Sequence, residues 1–364
     1  MKKFLALMLA LCMVVALAAC GQSAAPAAEA PAAEAPAAEA PAAEAPAAEA
    51  PAAEAPAAEE APAHDPIVLK IGVSTADTDP RNIAANQFAE EIAEKTNGAV
   101  TAQVYPSGQL GGDGELVNSM VLDSGTADIV ITDASNFGTV VADMNISGLP
   151  FLFSDFDAAW AFMDGPVEAA AEAELLEVGI RVLAHYDNGF RCVTNSKGPV
   201  ESPDDMKGML IRTPENQVIM ATMKALGANP QPLAFSELYQ ALQQKTYDAQ
   251  ENPIPVIYNN KLYEVQEYLS VTNHIYSGMC FAIAESTWNK LTAEEQEIVA
   301  AAALASGAAD RDMNRQQTSD LVANLEAEGM KINYPDLAPF SEAAQSVIAE
   351  NALGISEELL AQLG

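Results

Sequence analysis

The arginines set inside apolar runs are the residues of this sequence that ask most directly for chemistry. In DDMKGMLIRTP, residues 204–214, an apolar run ends on Arg212 just before Pro214. A guanidinium keeps its charge inside a protein, so burying one demands an anionic partner or several acceptors. Alternation along a strand puts Leu210 and Arg212 on one face, with Met209 and Ile211 on the other. Arg212 then stands at the carboxyl end of its strand, outside which open α/β sheets bind ligands. Its planar fork matches a carboxylate at two points, a geometry that lysine lacks. Either the fold or a ligand supplies the anion. Arg191, flanked by Phe190 and Cys192 in GFRC, poses the same alternatives. Asn252, just before Pro253, reads as a helix N-cap or as a donor to a ligand. Phe235 reads as core or as a wall against the ligand. Asp133, in TDASNF, lies just past a strand end, where an acid suits an ammonium, a hydroxyl or an ordered water.

These side chains need a scaffold, and periodicity supplies one. Strands are expected over 67–73, 99–105, 128–132, 180–185, 189–195, 209–213, 247–250 and 276–285. Helices are expected over 81–95, 113–122, 216–226 and 235–244, the last opened by Ser236. A helix-rich stretch runs from 158 to 177, interrupted at Gly165-Pro166. From 292 almost to 328 the pattern is helical, broken softly at Gly307, and long enough to lie along two lobes. In the helix over 81–95, Ala84, Phe88 and Ile92 share a face. Strand–helix alternation of this kind argues for α/β lobes with parallel sheet. The body, residues 64–364, is longer than one core normally serves, so two lobes are expected.

The beginning of the chain speaks to location. Lys2 and Lys3 precede a short apolar stretch, a pattern that matches a secretory signal peptide over 1–19. Leu17-Ala18-Ala19-Cys20 resembles the bacterial lipobox, which would place a lipid on Cys20 and anchor the protein to the outside of the cell membrane. Residues 20–63 carry an APAAE repeat without aromatic or β-branched side chains, so this segment cannot bury a core. It is expected to be a disordered tether reaching on the order of 120 Å at most, at roughly 3.1 Å per residue. Cys192 and Cys280 could pair in an oxidising compartment, but both sit in apolar, strand-like runs of the kind where buried free cysteine is common.

A specific resemblance overlies this reading. The runs GFRCVTNSKGPVESPDDMKGMLIRTP, ALGANPQPLAFSELYQALQQKTYDAQENP and YEVQEYLSVTNH look like the solute-binding proteins of TRAP transporters, the DctP-like family. YPSGQLGGDGEL and TADIVIT fit the same family. The resemblance implies a two-lobed α/β fold like that of periplasmic binding proteins, a Venus flytrap with a hinge and a long helix spanning both lobes. Lobe I would comprise about 66–188 and 278–317, and lobe II about 189–277 and 318–364. It further implies capture of a small carboxylate and its delivery to the small and large membrane subunits of a TRAP permease. Arg212 takes the place of the family's carboxylate-binding arginine, Arg191 of a second contact, Asn252 of a donor and Phe235 of a packing wall. No third arginine stands near Asn136, so neither a tricarboxylate nor a sialic-acid-like ligand is indicated.

Composition narrows the alternatives. With 51 Asp and Glu against 17 Lys and Arg, no basic patch is visible and nucleic acid is not an expected partner. The three histidines include no helix-spaced pair, and neither a P-loop nor a G-x-S-x-G elbow occurs. An enzyme, a cofactor and a metal are therefore not expected, and the protein should be a monomer. A lipoprotein that presents a carboxylate to a sensor or receptor would share every one of these features and stands as the alternative.

Overall fold

The computed structural model describes residues 64–363. The leader over 1–19, Cys20 and the repeat to residue 63 lie outside the described residues. Nine strands occur among the described residues: β1 (Ile67–Gly72), β2 (Val100–Tyr105), β3 (Ile129–Asp133), β4 (Ile180–Asn195), β5 (Leu210–Thr213), β6 (Asn229–Pro232), β7 (Ala249–Pro253), β8 (Tyr268–Ala284) and β9 (Lys331–Asn333). They form one sheet in the order β2-β1-β3-β8-β4-β7-β5-β6, with β9 on β8. Its two ends are parallel blocks, β2-β1-β3 and β7-β5-β6. Between them, β4 and β8 run antiparallel to each other over most of their length. Helices pack on the sheet to give a two-lobed α/β protein.

Local rules account for most elements. The helix Pro80–Lys95 starts with proline in its first turn, and the Asp79 side chain accepts from the Arg81 N–H as N-cap. Ala84, Phe88 and Ile92 are all buried, and the Phe88 ring meets Phe281 edge-on at 4.8 Å. Burying a phenylalanine of this kind contributes about 1.5–3 kcal/mol. The helix-rich stretch divides at Gly165 into Phe156–Met163 and Pro166–Glu177. Among the described residues, no helix is long and apolar enough to cross a membrane.

Four expectations need correction. The strands read over 180–185 and 189–195 are one strand, β4, because the equally long β8 pairs with both halves. The gap expected between them holds a shift of register at Asp187–Gly189, with Gly189 at φ +101°. The helix Ala293–Ala327 passes through Gly307 unbroken. There a Cβ would come within 2.7 Å of the His185 carbonyl oxygen, so glycine serves the close approach of the helix to β4. Asn252 is not an N-cap: it lies within β7, and the helix Ile254–Asn259 begins after Pro253. The stretch 235–244 splits into a 3-10 turn, Phe235–Glu237, and a helix, Leu238–Gln243, with no side-chain cap from Ser236. Cys192 and Cys280 are both free and buried, Cys280 facing His185 across the β4–β8 pair and Cys192 further along β4.

Candidate functional site

The carboxyl ends of β1, β3, β5 and β7 meet at one place in the middle of the sheet. Ser74 and Thr75 follow β1, Asp133 ends β3, Arg212 stands near the end of β5, and Asn252 near the end of β7. All of them line a cavity of about 50 Å³, together with Arg191 and Phe235. The five residues singled out from sequence are thus brought together. Past Arg212 and Phe235 lies a wider cleft of about 520 Å³, bounded by the loop around Gly111 and by residues near Leu233. That size suits a small organic molecule.

Arg212 is only 1% exposed. Its Nε and Nη2 both donate to the Leu233 carbonyl, at 2.9 and 2.5 Å. Among the described residues, no carboxylate lies within ion-pair distance of it. The Phe235 ring lies 5.8 Å from the guanidinium carbon, so this half-buried ring is a wall of the arginine's niche. Burial draws the Arg212 pKa down to about 10, although the charge of Glu251 opposes the shift. The group stays protonated at neutral pH, and its charge is not cancelled by the fold.

Arg191 behaves differently. Its Nε donates to Glu251 Oε2 at 2.5 Å, and its Nη2 reaches Glu251 Oε1 at 2.8 Å and Asn252 Oδ1 at 3.2 Å. Burial pushes the Glu251 carboxyl up, but the Arg191 charge and hydrogen bonds from Arg191 and His274 overcome it and hold the group below its ordinary value. His274 Nε2 is 3.3 Å from Glu251 Oε2. The internal carboxylate considered for Arg191 therefore exists, and the arginine presents to the cavity a charge already balanced. Asn252 also donates to Gln250 Oε1 at 2.5 Å.

Asp133 is fastened by its own neighbours. Its Oδ1 accepts from the Ser135 N–H at 2.9 Å and from the Ser135 hydroxyl at 2.5 Å, and its Oδ2 accepts from the Ser277 hydroxyl. Burial raises its pKa, against those hydrogen bonds and the charge of Arg191.

Several lining residues escaped the sequence reading. A third arginine does reach the cavity, Arg81, although it comes from a different element than the one around Asn136. It is bound to Asp79 at 2.9 and 3.1 Å and to Asn188 Oδ1 at 3.3 Å. The signal was Asp79-Pro80-Arg81, an acid and an arginine bracketing a helix start. Asn216, the N-cap of the helix Gln217–Ala225, donates to Ser135 Oγ at 2.7 Å and to Asn136 Oδ1 at 2.9 Å. It ties the β5 side of the cavity to the β3 side.

Behind the cavity, Asp310 of the helix Ala293–Ala327 is fully buried. Its Oδ2 accepts from the Asp187 N–H at 2.6 Å, while its Oδ1 has no partner. Burial raises its pKa well above the ordinary value; the charges of Asp187 and Asp79 add to this, against the backbone bond and Arg81. The folded chain thus keeps a proton that the unfolded chain releases near pH 4. Stability from this group is present at low pH and is lost as pH rises through the raised value. Asp310→Asn should therefore flatten the fall of Tm as pH rises above about 4. Parallel Tm–pH curves for the two proteins would contradict this.

Comparison with known proteins adds identity to geometry. Residues 71–353 match the family described as bacterial extracellular solute-binding protein, family 7. The 2,3-diketo-L-gulonate-binding periplasmic protein of Escherichia coli is 34% identical over 276 residues, covering 76% of this chain and 84% of that one. A TRAP periplasmic solute-binding protein from Polaromonas, solved with D-erythronate, superposes with a TM-score of 0.78 at 34% identity, over 82% of this chain and 98% of the other. One from Roseobacter denitrificans, solved with L-galactonate, does so with a TM-score of 0.76 at 30% identity, over 82% and 98%.

Proposed function

Because this chain belongs to family 7 of the bacterial extracellular solute-binding proteins, we propose that its cleft captures an acid with one carboxylate and several hydroxyls, such as an aldonate. The observation that carries this reading is Arg212, buried beside the cavity with no carboxylate of its own. One uncancelled cation calls for one anionic group on the ligand. The remaining walls offer amides and hydroxyls from Asn136, Asn188, Asn252, Ser74 and Ser277. Such groups match alcohols rather than a second carboxylate. The other two arginines, Arg191 and Arg81, are each committed to an internal acid. The sugar acids bound by the Polaromonas and Roseobacter proteins are of this chemical class.

Arg212 would grip the carboxylate, with Phe235 packed against the arginine and Asn252 oriented by Arg191. Asp133, its acceptors shared with two serines, would take a ligand hydroxyl. The ligand passes to a TRAP membrane permease. A lipid on Cys20, a tether over 20–63 and a monomeric body complete the proposal, supported by the lipobox spelling of residues 17–20 and the proline repeat.

A thermal-shift panel tests the ligand class. Four- and six-carbon aldonates, uronates, C4-dicarboxylates and the matching neutral sugars would be compared on the full-length protein. At about 100 times its Kd, a ligand stabilises by about 2.7 kcal/mol. A shift is expected with at least one hydroxy acid and none with its neutral alcohol. Equal shifts from acid and alcohol, or the greatest from a dicarboxylate, would overturn the reading.

A further inference from the structure

The amide of Asn216 reaches further into the cavity wall than its role as a helix cap requires. Asn216 follows β5 and caps the helix Gln217–Ala225, its Oδ1 accepting from the Ile219 N–H at 3.0 Å. That bond fixes which end of the amide is oxygen, so the NH₂ group is turned to the β3 side of the cavity. There its two hydrogens divide, between Ser135 Oγ at 2.7 Å and Asn136 Oδ1 at 2.9 Å. Asn216, Ser135 and Asn136 are all buried.

Each acceptor passes the polarity on. Having accepted from Asn216, the Ser135 hydroxyl gives its own hydrogen to Asp133 Oδ1, at 2.5 Å. Asn136, its oxygen taken, presents Nδ2 to Thr132 Oγ1 at 2.8 Å, and the Thr132 hydroxyl in turn donates to Asp113 Oδ1 at 3.0 Å. One amide on the β5 side therefore heads two relays, each ending on a carboxylate across the cavity. Both carboxylates line the inner cavity, and Asp113 also borders the wider cleft. Hydrogen bonds running in one direction polarise one another, so each relay strengthens as a unit. Arg212, whose hydrogen bonds go to the Leu233 carbonyl, stands outside both relays. Charge and hydroxyl groups are thus met by separate parts of the wall.

We propose that Asn216 is a positioning residue for ligand specificity. Through Ser135 it sets Asp133, and through Asn136 and Thr132 it sets Asp113, as acceptors for two different hydroxyls of the bound acid. This role rests on the hydroxy-acid reading of the cleft and adds to it the means by which a hydroxyl is told from a bare carbon. A wall built to accept from a hydroxyl is left with unpaired polar groups when the hydroxyl is missing, which is the strongest form of such discrimination. The relays also join the two sides of the cavity, so the acceptors are aligned only while the β5 side stands against the β3 side.

The test is calorimetry on the full-length protein with four- and six-carbon aldonates and with the deoxy acids that lack one hydroxyl at a time. Asn216→Ser keeps a residue that caps helices well but is too short to reach both Ser135 and Asn136. The wild type should prefer an aldonate over at least two of its deoxy acids by about 10-fold or more. In Asn216→Ser that preference should shrink by roughly fivefold or more, because the acceptors lose their alignment. Ser135→Ala should erode the preference at one hydroxyl and Asn136→Ala at another. Should Asn216→Ser fail to fold, these two variants read the relays one at a time. Preferences within about twofold of wild type in every folded variant, even with a lowered Tm, would leave Asn216 a helix cap and overturn the role. So would a wild type that binds aldonates and deoxy acids alike. A wild type that binds no aldonate would instead overturn the hydroxy-acid reading, and this role with it.

Discussion

Arg212→Ala should bind its acid roughly 30- to several-thousand-fold more weakly than the wild type, the equivalent of about 2–5 kcal/mol. The size of the effect follows from burial. A carboxylate paired with this guanidinium is out of water, and removing the arginine leaves it buried and uncompensated. Arg212 also anchors nothing that the fold requires beyond the Leu233 carbonyl. The variant should therefore fold, which separates lost affinity from lost structure. Arg212→Lys should recover part of the binding, since charge survives and two-point geometry does not. Calorimetry with the acid identified by the ligand panel reads the difference directly. An alanine variant within threefold of wild type would return Arg212 to a purely structural role.

Glu251→Ala should act on stability instead. The carboxylate is wholly buried between Arg191 and His274. Deleting it strands the Arg191 charge in the interior, at a cost of about 3–5 kcal/mol. For a chain of this length that corresponds to a Tm lower by roughly 10 °C. The double change Glu251→Ala with Arg191→Met should regain much of the loss, because no charge is then left alone. A single variant within 2 °C of wild type would show that solvent or another group already balances Arg191.

The two arginines illustrate how far the amino-acid sequence could be read. Both stand out as charges inside strands, and both do line the cavity. Their difference, an internal partner for one and none for the other, depends on Glu251. That residue sits inside QENP on β7, brought beside Arg191 only by the antiparallel β4–β7 pairing. Long-range pairing of this sort leaves no local signal. Helices with a clear 3.6-residue stripe were legible, as with Ala84, Phe88 and Ile92. Where local rules and tertiary pairing disagreed, pairing won: the gap between two expected strands became part of β4, and a proline-flanked asparagine became part of β7. Gly307 suggested weakness because glycine disfavours helices by about 1 kcal/mol, yet the close contact with β4 outweighs that preference.

The long pairing of β4 with β8, interrupted by three shifts of register, joins the parallel blocks of the sheet more as a leaf spring than as a pin. Strands bonded along their length cannot swivel freely, so any bending should concentrate where the register shifts, at Val182–Ala184, Asp187–Gly189 and Arg191–Val193. Arg191 stands beside two of these shifts, between the parallel blocks of the sheet, whereas Asp133 and Arg212 belong to the blocks on either side. Should the cleft open by bending there, Arg191 would move least, and an arriving ligand would meet it already in place. Any such bending would be resisted by the same hydrogen-bonded strands, so the sheet itself would act to restore the form described here.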